Sequence, residues 1–237
     1  MHDGSLSFDR ILVPTVDTVR AMFLIRTLTL HGRPTIVVGE SGAGKTSMIN
    51  ALYRQAFCER ENIVLVPFHF STQTTSSSLQ YAVEDKLKTR KSRDRLAPPA
   101  GKRVVLFIDD VNMPSKDTYG SVPVIELVRQ MLGCGGWYDR SEFYWRTVER
   151  ITPVGAMCPP DGGRNVLTRR FTRLFSLICV PESADLVMRS IFEAIVSGVL
   201  AEPGNDCSPM VRPGYARLVA ATVALYRGVK AELRPTP

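Results

Sequence analysis

Short apolar runs alternate along this chain with longer stretches of mixed polarity, and glycine- or proline-rich breaks separate them. Ile11-Leu12-Val13-Pro14 is a brief apolar segment, and Thr15 is placed to cap a helix running to about Leu30, where Gly32 stops it. Pro34 to Val38 predicts a short buried strand that ends in a glycine-rich turn. The spacing from Thr46 to about Phe57 predicts a helix burying Met48, Ile49, Leu52 and Ala56. Ile63–Phe70 reads as a second strand, followed by the polar run Ser71–Ser78 and a helix near Leu79–Lys88. Arg103–Ile108 is the strongest strand signal, and a helix over Val122–Leu132 follows, ended by Gly133. Gly135–Asp139 and Phe143–Trp145 predict a small aromatic hairpin. Ile151–Met157 and Leu174–Val180 complete the strands, with Pro153 awkwardly inside the first of them. Helices near Ala184–Leu200 and Tyr215–Glu232 close the chain. Strands that alternate with helices predict an α/β fold around a mostly parallel sheet.

Composition changes this picture little. With 237 residues, 44% hydrophobic and 22% charged, the chain suits one sizeable globular domain with at most a small appendage. No run of 18 apolar residues occurs, and Met1–Ser5 carries neither a basic region nor an apolar core. A cytosolic or nuclear chain without membrane or signal segment is the expectation. Five cysteines at 58, 134, 158, 179 and 207 lack any paired C-x-x-C spacing, which argues against a disulfide framework or a zinc site. The net charge of +7 gathers around Lys86, Lys88, Arg90, Lys91, Arg93, Arg95, Lys102 and Arg103. Such a run between two ordered elements is expected to be a solvated helix end and loop, with a nucleic-acid surface as the alternative.

The chemistry begins at Gly39-Glu40-Ser41-Gly42-Ala43-Gly44-Lys45-Thr46, a full G-x-x-x-x-G-K-[ST] match between a predicted strand and a predicted helix. The glycines let successive N–H groups turn toward phosphate oxygens, and the helix start adds its positive dipole end. Lys45 is expected to reach the β- and γ-phosphates of ATP, or the β-phosphate of ADP, and the Thr46 hydroxyl to ligate Mg²⁺. Gly39 through Ser47 is the nucleotide-holding segment, with the Glu40 carboxylate expected to point to solvent. The same octet is used by myosins, but neither of their two switch motifs occurs here.

Val104–Ile108 followed by Asp109-Asp110 matches a Walker B strand, whose acids emerge at the C-terminal end where ligands bind in open α/β sheets. Asp109 is expected to hold the Mg²⁺ shell. Asp110 occupies the position that would polarise the attacking water, usually a glutamate, and is one methylene shorter. A retraction on the order of 1 Å can lower the rate about a hundredfold. Binding therefore reads more strongly than hydrolysis.

Further motifs follow in order: Val13-Pro14-Thr15-Val16-Asp17-Thr18 before the loop, then Asp109-Asp110-Val111-Asn112-Met113-Pro114, Tyr119-Gly120 and Gly135-Gly136-Trp137-Tyr138-Asp139. Gly155-Ala156-Met157-Cys158-Pro159-Pro160, Gly162-Gly163-Arg164-Asn165 and Arg170-Phe171-Thr172-Arg173 complete the set. This set closely resembles the third AAA+ module of the dynein heavy chain, in its axonemal rather than cytoplasmic form, over about Phe8 to Pro237. The resemblance implies a P-loop AAA+ fold, with a parallel five-stranded sheet flanked by helices over 1–200 and the start of a truncated helical lid over 201–237. It implies that Ile11, Leu12 and Val13 line the adenine pocket and that Cys158 replaces a sensor asparagine, a poor hydrogen-bonding substitute. Arg170 would be the arginine finger acting in trans, with Arg173 as the alternate. The Ser71-Thr72-Gln73-Thr74 segment also matches, without an assigned chemistry.

The function so implied is an ATP- and Mg²⁺-binding module of a microtubule motor, setting the geometry of a ring by nucleotide occupancy, with weak or no hydrolysis alone. Its partners would be neighbouring AAA+ modules of the same heavy chain, and microtubules only through the complete motor, in cytoplasm, cytoskeleton and the axoneme of a cilium or flagellum. No membrane partner is expected. The alternative is a P-loop ATPase acting on nucleic acid, suggested by the charge and by Trp137, Tyr138, Phe143 and Tyr144, although aromatics in a hairpin are more often packed than stacked on bases.

Overall fold

The computed structural model describes residues 11–54, 62–87, 94–99, 101–201 and 214–233. Thr15 caps α1 (Val16–Leu30) as expected: its Oγ1 accepts from the Thr18 N–H at 3.2 Å, while its own N–H donates to Thr18 Oγ1 at 2.7 Å. Gly32, at φ +66°, closes the helix, with its N–H on the Thr29 carbonyl and that of Arg33 on Leu28.

Next come β1 (Thr35–Val38), α2 (Lys45–Leu52), β2 (Ile63–His69), α3 (Ser76–Leu87), β3 (Arg95–Leu96), β4 (Arg103–Asp109) and α4 (Pro123–Cys134). They are followed by β5 (Gly136–Tyr138), β6 (Trp145–Val148), β7 (Ile151–Met157), α5 (Arg169–Thr172), β8 (Ser176–Cys179), α6 (Asp185–Ala201) and α7 (Tyr215–Glu232). Several boundaries differ from the sequence reading. Helix α3 starts at Ser76 because Thr75 Oγ1 accepts the N–H of Ser78, drawing part of the polar run into the first turn. Helix α4 passes through Gly133 and ends where Gly135 takes φ +74° and donates to the Met131 carbonyl. The last strand shortens to Ser176–Cys179 because the preceding residues form α5 and its exit turn. The expected end of the helix at Phe57, its buried Ala56, and half of the basic run, Lys88, Arg90, Lys91 and Arg93, lie outside the described residues.

The main sheet has five strands in the order β2-β4-β7-β1-β8, and every adjacent pair is parallel. Its interior strands β4 and β7 are buried almost throughout, as apolar runs covered on both faces require. Val104 to Ile108, Ile36, Val154 and Ala156 form the centre of this core. Each fully buried aliphatic side chain of this kind contributes about 1.5–3 kcal/mol. Pro153 is tolerated there because of register. The carbonyls of Arg150 and Ala156 accept from the β4 side and that of Met157 from Gly39, so odd-numbered residues of β7 turn toward β1. Pairing with β1 begins only at Val154 opposite Thr35, so the missing N–H falls at the start of that ladder.

A second sheet, β3-β6-β5, carries the aromatic hairpin, and its two-residue strand β3 had no signal in the sequence. Arg146 on β6 reaches Glu84 Oε2 and Asp139 Oδ2, each at 2.9 Å, and the indole N–H of Trp137 donates to Glu84 Oε1 at 2.9 Å. Trp137 is buried, while Tyr138 meets Trp145 edge to face at 5.1 Å.

By packing, the chain divides into two compact units, Arg20–Val180 and Met1–Val19 with Pro181–Pro237. The first holds both sheets. In the second, α6 and α7 pack together, and Arg227 pairs with Asp185 and Lys230 with Glu182. This division falls upstream of the boundary expected at residue 200. No helix among the described residues is long and apolar enough to cross a membrane.

Candidate nucleotide site

The C-terminal ends of β1, β4 and β7 open on one cavity of about 310 Å³. It is lined by the P-loop residues Ser41, Gly42, Gly44, Lys45, Thr46 and Ser47, and across from them by Asp109, Asp110, Cys158 and Arg164.

Backbone geometry explains the glycines. Gly42 and Gly44 both take φ +81°, a conformation that strains residues with a Cβ. At Gly39 the constraint is space, since an added Cβ would sit 2.6 Å from the carbonyl oxygen of Val180. Gly44 caps α2 without any side-chain acceptor, leaving the first N–H groups of that helix to be satisfied from the cavity. Ala43 N–H closes the loop onto the Glu40 carbonyl at 3.2 Å, and Glu40 itself is exposed.

Lys45 is buried, yet its ammonium is held by oxygen acceptors at the mouth of the loop. Nζ donates to the carbonyls of Gly39 at 2.9 Å and Glu40 at 2.8 Å, and lies 3.5 Å from Cys158 Sγ. Thr46 Oγ1 donates to Asp109 Oδ2 at 2.8 Å, and His69 Nδ1 stands 3.6 Å from the same oxygen. The other carboxylate oxygen of Asp109 accepts the N–H of Asp110 at 3.1 Å. This donor set fits Mg²⁺-nucleotide: free helix N–H groups, one ammonium, and a hydroxyl and carboxylate already in contact where a hard cation takes oxygen ligands. Asp110 is half-buried and sits at φ +53°, in the left-handed region that aspartate tolerates better than most residues.

The sequence reading missed two residues here. Asn112, almost wholly buried, donates from Nδ2 to the Cys158 carbonyl at 2.9 Å and accepts the Asn165 N–H at 2.9 Å on its own carbonyl. It thereby ties the turn after β4 to the loop after β7. Arg164 belonged to a quoted motif but had no role. Its signal was the preceding Gly162-Gly163, both at positive φ, which turn the chain back toward the P-loop side of the sheet.

The two arginine candidates are not part of this lining. Arg170 and Arg173 are exposed, and Arg170 Nη2 is 3.4 Å from Glu126 Oε1 on α4. Ile11, Leu12 and Val13 are half-buried residues of the other compact unit. Among the described residues no group of three or more His, Cys, Asp or Glu forms a separate metal cluster.

Comparison with known proteins agrees with this geometry. The profile of the P-loop containing dynein motor region family matches residues 1–183. The chain is 38% identical over 236 residues to dynein axonemal heavy chain 6 of Homo sapiens, covering 100% of this chain and 6% of that one. It is 40% identical over 237 residues to the dynein-1-alpha heavy chain of the flagellar inner arm I1 complex of Chlamydomonas reinhardtii, covering 99% and 5%. Dynein axonemal heavy chain 12 of Rattus norvegicus is 35% identical over 239 residues, with 100% and 8% covered. The chain thus spans less than a tenth of the length of these relatives.

Proposed function

The chain belongs to the P-loop dynein motor region family of dynein heavy chains, and on that premise we propose that it is an ATP- and Mg²⁺-binding AAA+ module, the third of its ring. The observation that carries this reading is the convergence of Lys45, Thr46 and Asp109 on one cavity at the carboxyl ends of the sheet strands. Nucleotide would lie with its phosphates against the N–H groups of Gly39–Thr46, with Lys45 on the β- and γ-phosphates. Thr46 and Asp109 would hold the metal, which supplies charge neutralisation when bound.

The module's role is regulatory: occupancy of the cavity sets the geometry of neighbouring AAA+ modules of the same heavy chain, and microtubules are engaged only by the complete motor. The axonemal and flagellar names of the relatives support a cilium or flagellum as the site of action. Hydrolysis is weak, because Asp110 is short and Cys158 presents a thiol where a sensor amide would orient water. Arg170, with Arg173 as alternate, would complete a neighbour's site.

Calorimetry with Mg²⁺-ATP tests the reading. Lys45→Ala should weaken binding by at least about tenfold, about 1.4 kcal/mol, while the protein stays folded. Equal affinities in the two folded proteins would sink it.

A further inference from the structure

Among the described residues, Arg164 is the one strong cation on the cavity wall facing the P-loop. Its Nε is buried without a hydrogen-bond partner, and no described carboxylate pairs with its guanidinium. Buried donors of charged groups are nearly always satisfied, so an orphan at a cavity wall marks where an acceptor from outside the chain belongs. The wall's charge points the same way. With Asp109 engaged by the metal, Asp110 and Lys45 offset each other, and Arg164 adds a positive charge toward a polyanion.

The position of Arg164 is held by its neighbours rather than by its own contacts. Asn165 donates from its N–H to the Asn112 carbonyl at 2.9 Å and from Nδ2 to the Pro114 carbonyl at 2.6 Å, and the Arg164 N–H donates to Asp161. The same loop begins at Cys158, whose sulfur lies 3.5 Å from the tip of Lys45. The loop that carries Arg164 therefore starts beside the Lys45 ammonium, the group expected on the terminal phosphates, and Arg164 lines the same cavity.

From this we infer that Arg164 contacts the terminal phosphate of the module's own nucleotide and discriminates a triphosphate from a diphosphate. The inference rests on the nucleotide reading above. Arginine suits the task, since its planar fork donates to two phosphate oxygens at once. The site would then report occupancy through the loop that Asn112 and Asn165 tie to the end of β4.

The test is calorimetric titration of the full chain with Mg²⁺ and either ADP or the non-hydrolysable triphosphate adenylyl imidodiphosphate. Arg164→Ala should weaken the triphosphate by about tenfold or more and ADP by less than about threefold. Arg164→Lys should fall between, keeping the charge but losing the fork. Should the alanine variant fail to fold, Arg164→Gln reads the same difference. Unchanged triphosphate affinity, or equal losses for both nucleotides, would overturn the inference and leave the P-loop assignment standing. Absence of binding in the parent chain would overturn both, and Lys45→Ala supplies the reference for a lost site.

Discussion

The Thr46 hydroxyl donates a 2.8 Å hydrogen bond to Oδ2 of Asp109, joining the first turn of α2 to the C-terminal end of β4 across 63 positions of sequence. A hydroxyl and a carboxylate oxygen in contact place two hard ligands where one cation can meet both. Thr46→Val and Asp109→Asn should each reduce the gain in ATP affinity that Mg²⁺ brings by about tenfold. Affinity measured in chelator should change little. If the metal dependence is the same in variant and parent titrations, these residues do not hold the metal.

The purified chain should hydrolyse ATP very slowly. Arg170 and Arg173 do not reach the cavity, so the site has no finger of its own from either. A missing finger lowers the rate by about 10³–10⁵, which against a median turnover of about 10 per second leaves at most about one event per hundred seconds. Steady-state phosphate release, with Lys45→Ala as the contamination control, measures this. Turnover near one per second that vanishes in Lys45→Ala would show a site complete in itself.

Lengthening Asp110 should trade stability for rate. At φ +53° a glutamate is less well accommodated than aspartate, and Asp110→Glu should cost about 1 kcal/mol, a fall in Tm of about 2–4 °C. Assayed in a complete ring, the same variant should turn over faster with nearly unchanged ATP affinity. An unchanged rate at verified fold would mean that reach at position 110 is not limiting.

Arg146 bridges Glu84 and Asp139, whose side chains are only 13% and 8% exposed. Arg146→Leu leaves both carboxylates facing each other with little water and should destabilise the protein by about 3 kcal/mol, read from urea unfolding. A loss below about 1 kcal/mol, the range of solvent-exposed pairs, would show that water screens the network.

The local signals of this chain were strong where one short segment carries all the needed information. The octet Gly39–Thr46 requires only its own glycines, lysine and threonine to make a phosphate loop, and β4 announces itself because both its faces are buried. The parallel five-stranded sheet followed from that alternation together with the family resemblance. Gly133 misled because a glycine can remain helical when its neighbours pack, and only Gly135 takes the left-handed φ that ends the helix.

Tertiary structure alone decided which side chains meet. Gly162-Gly163 marks a turn but not that it carries Arg164 to the wall of the P-loop cavity, and nothing marks Asn112 as the tie to the Cys158 loop, because those partners belong to strands adjacent in the sheet but distant in the chain. The strand β3 exists only because β6 offers it a ladder. Periodicity reports which face of an element is buried, whereas sheet order and register set what that face is buried against, and the candidate site is built from the second kind of information.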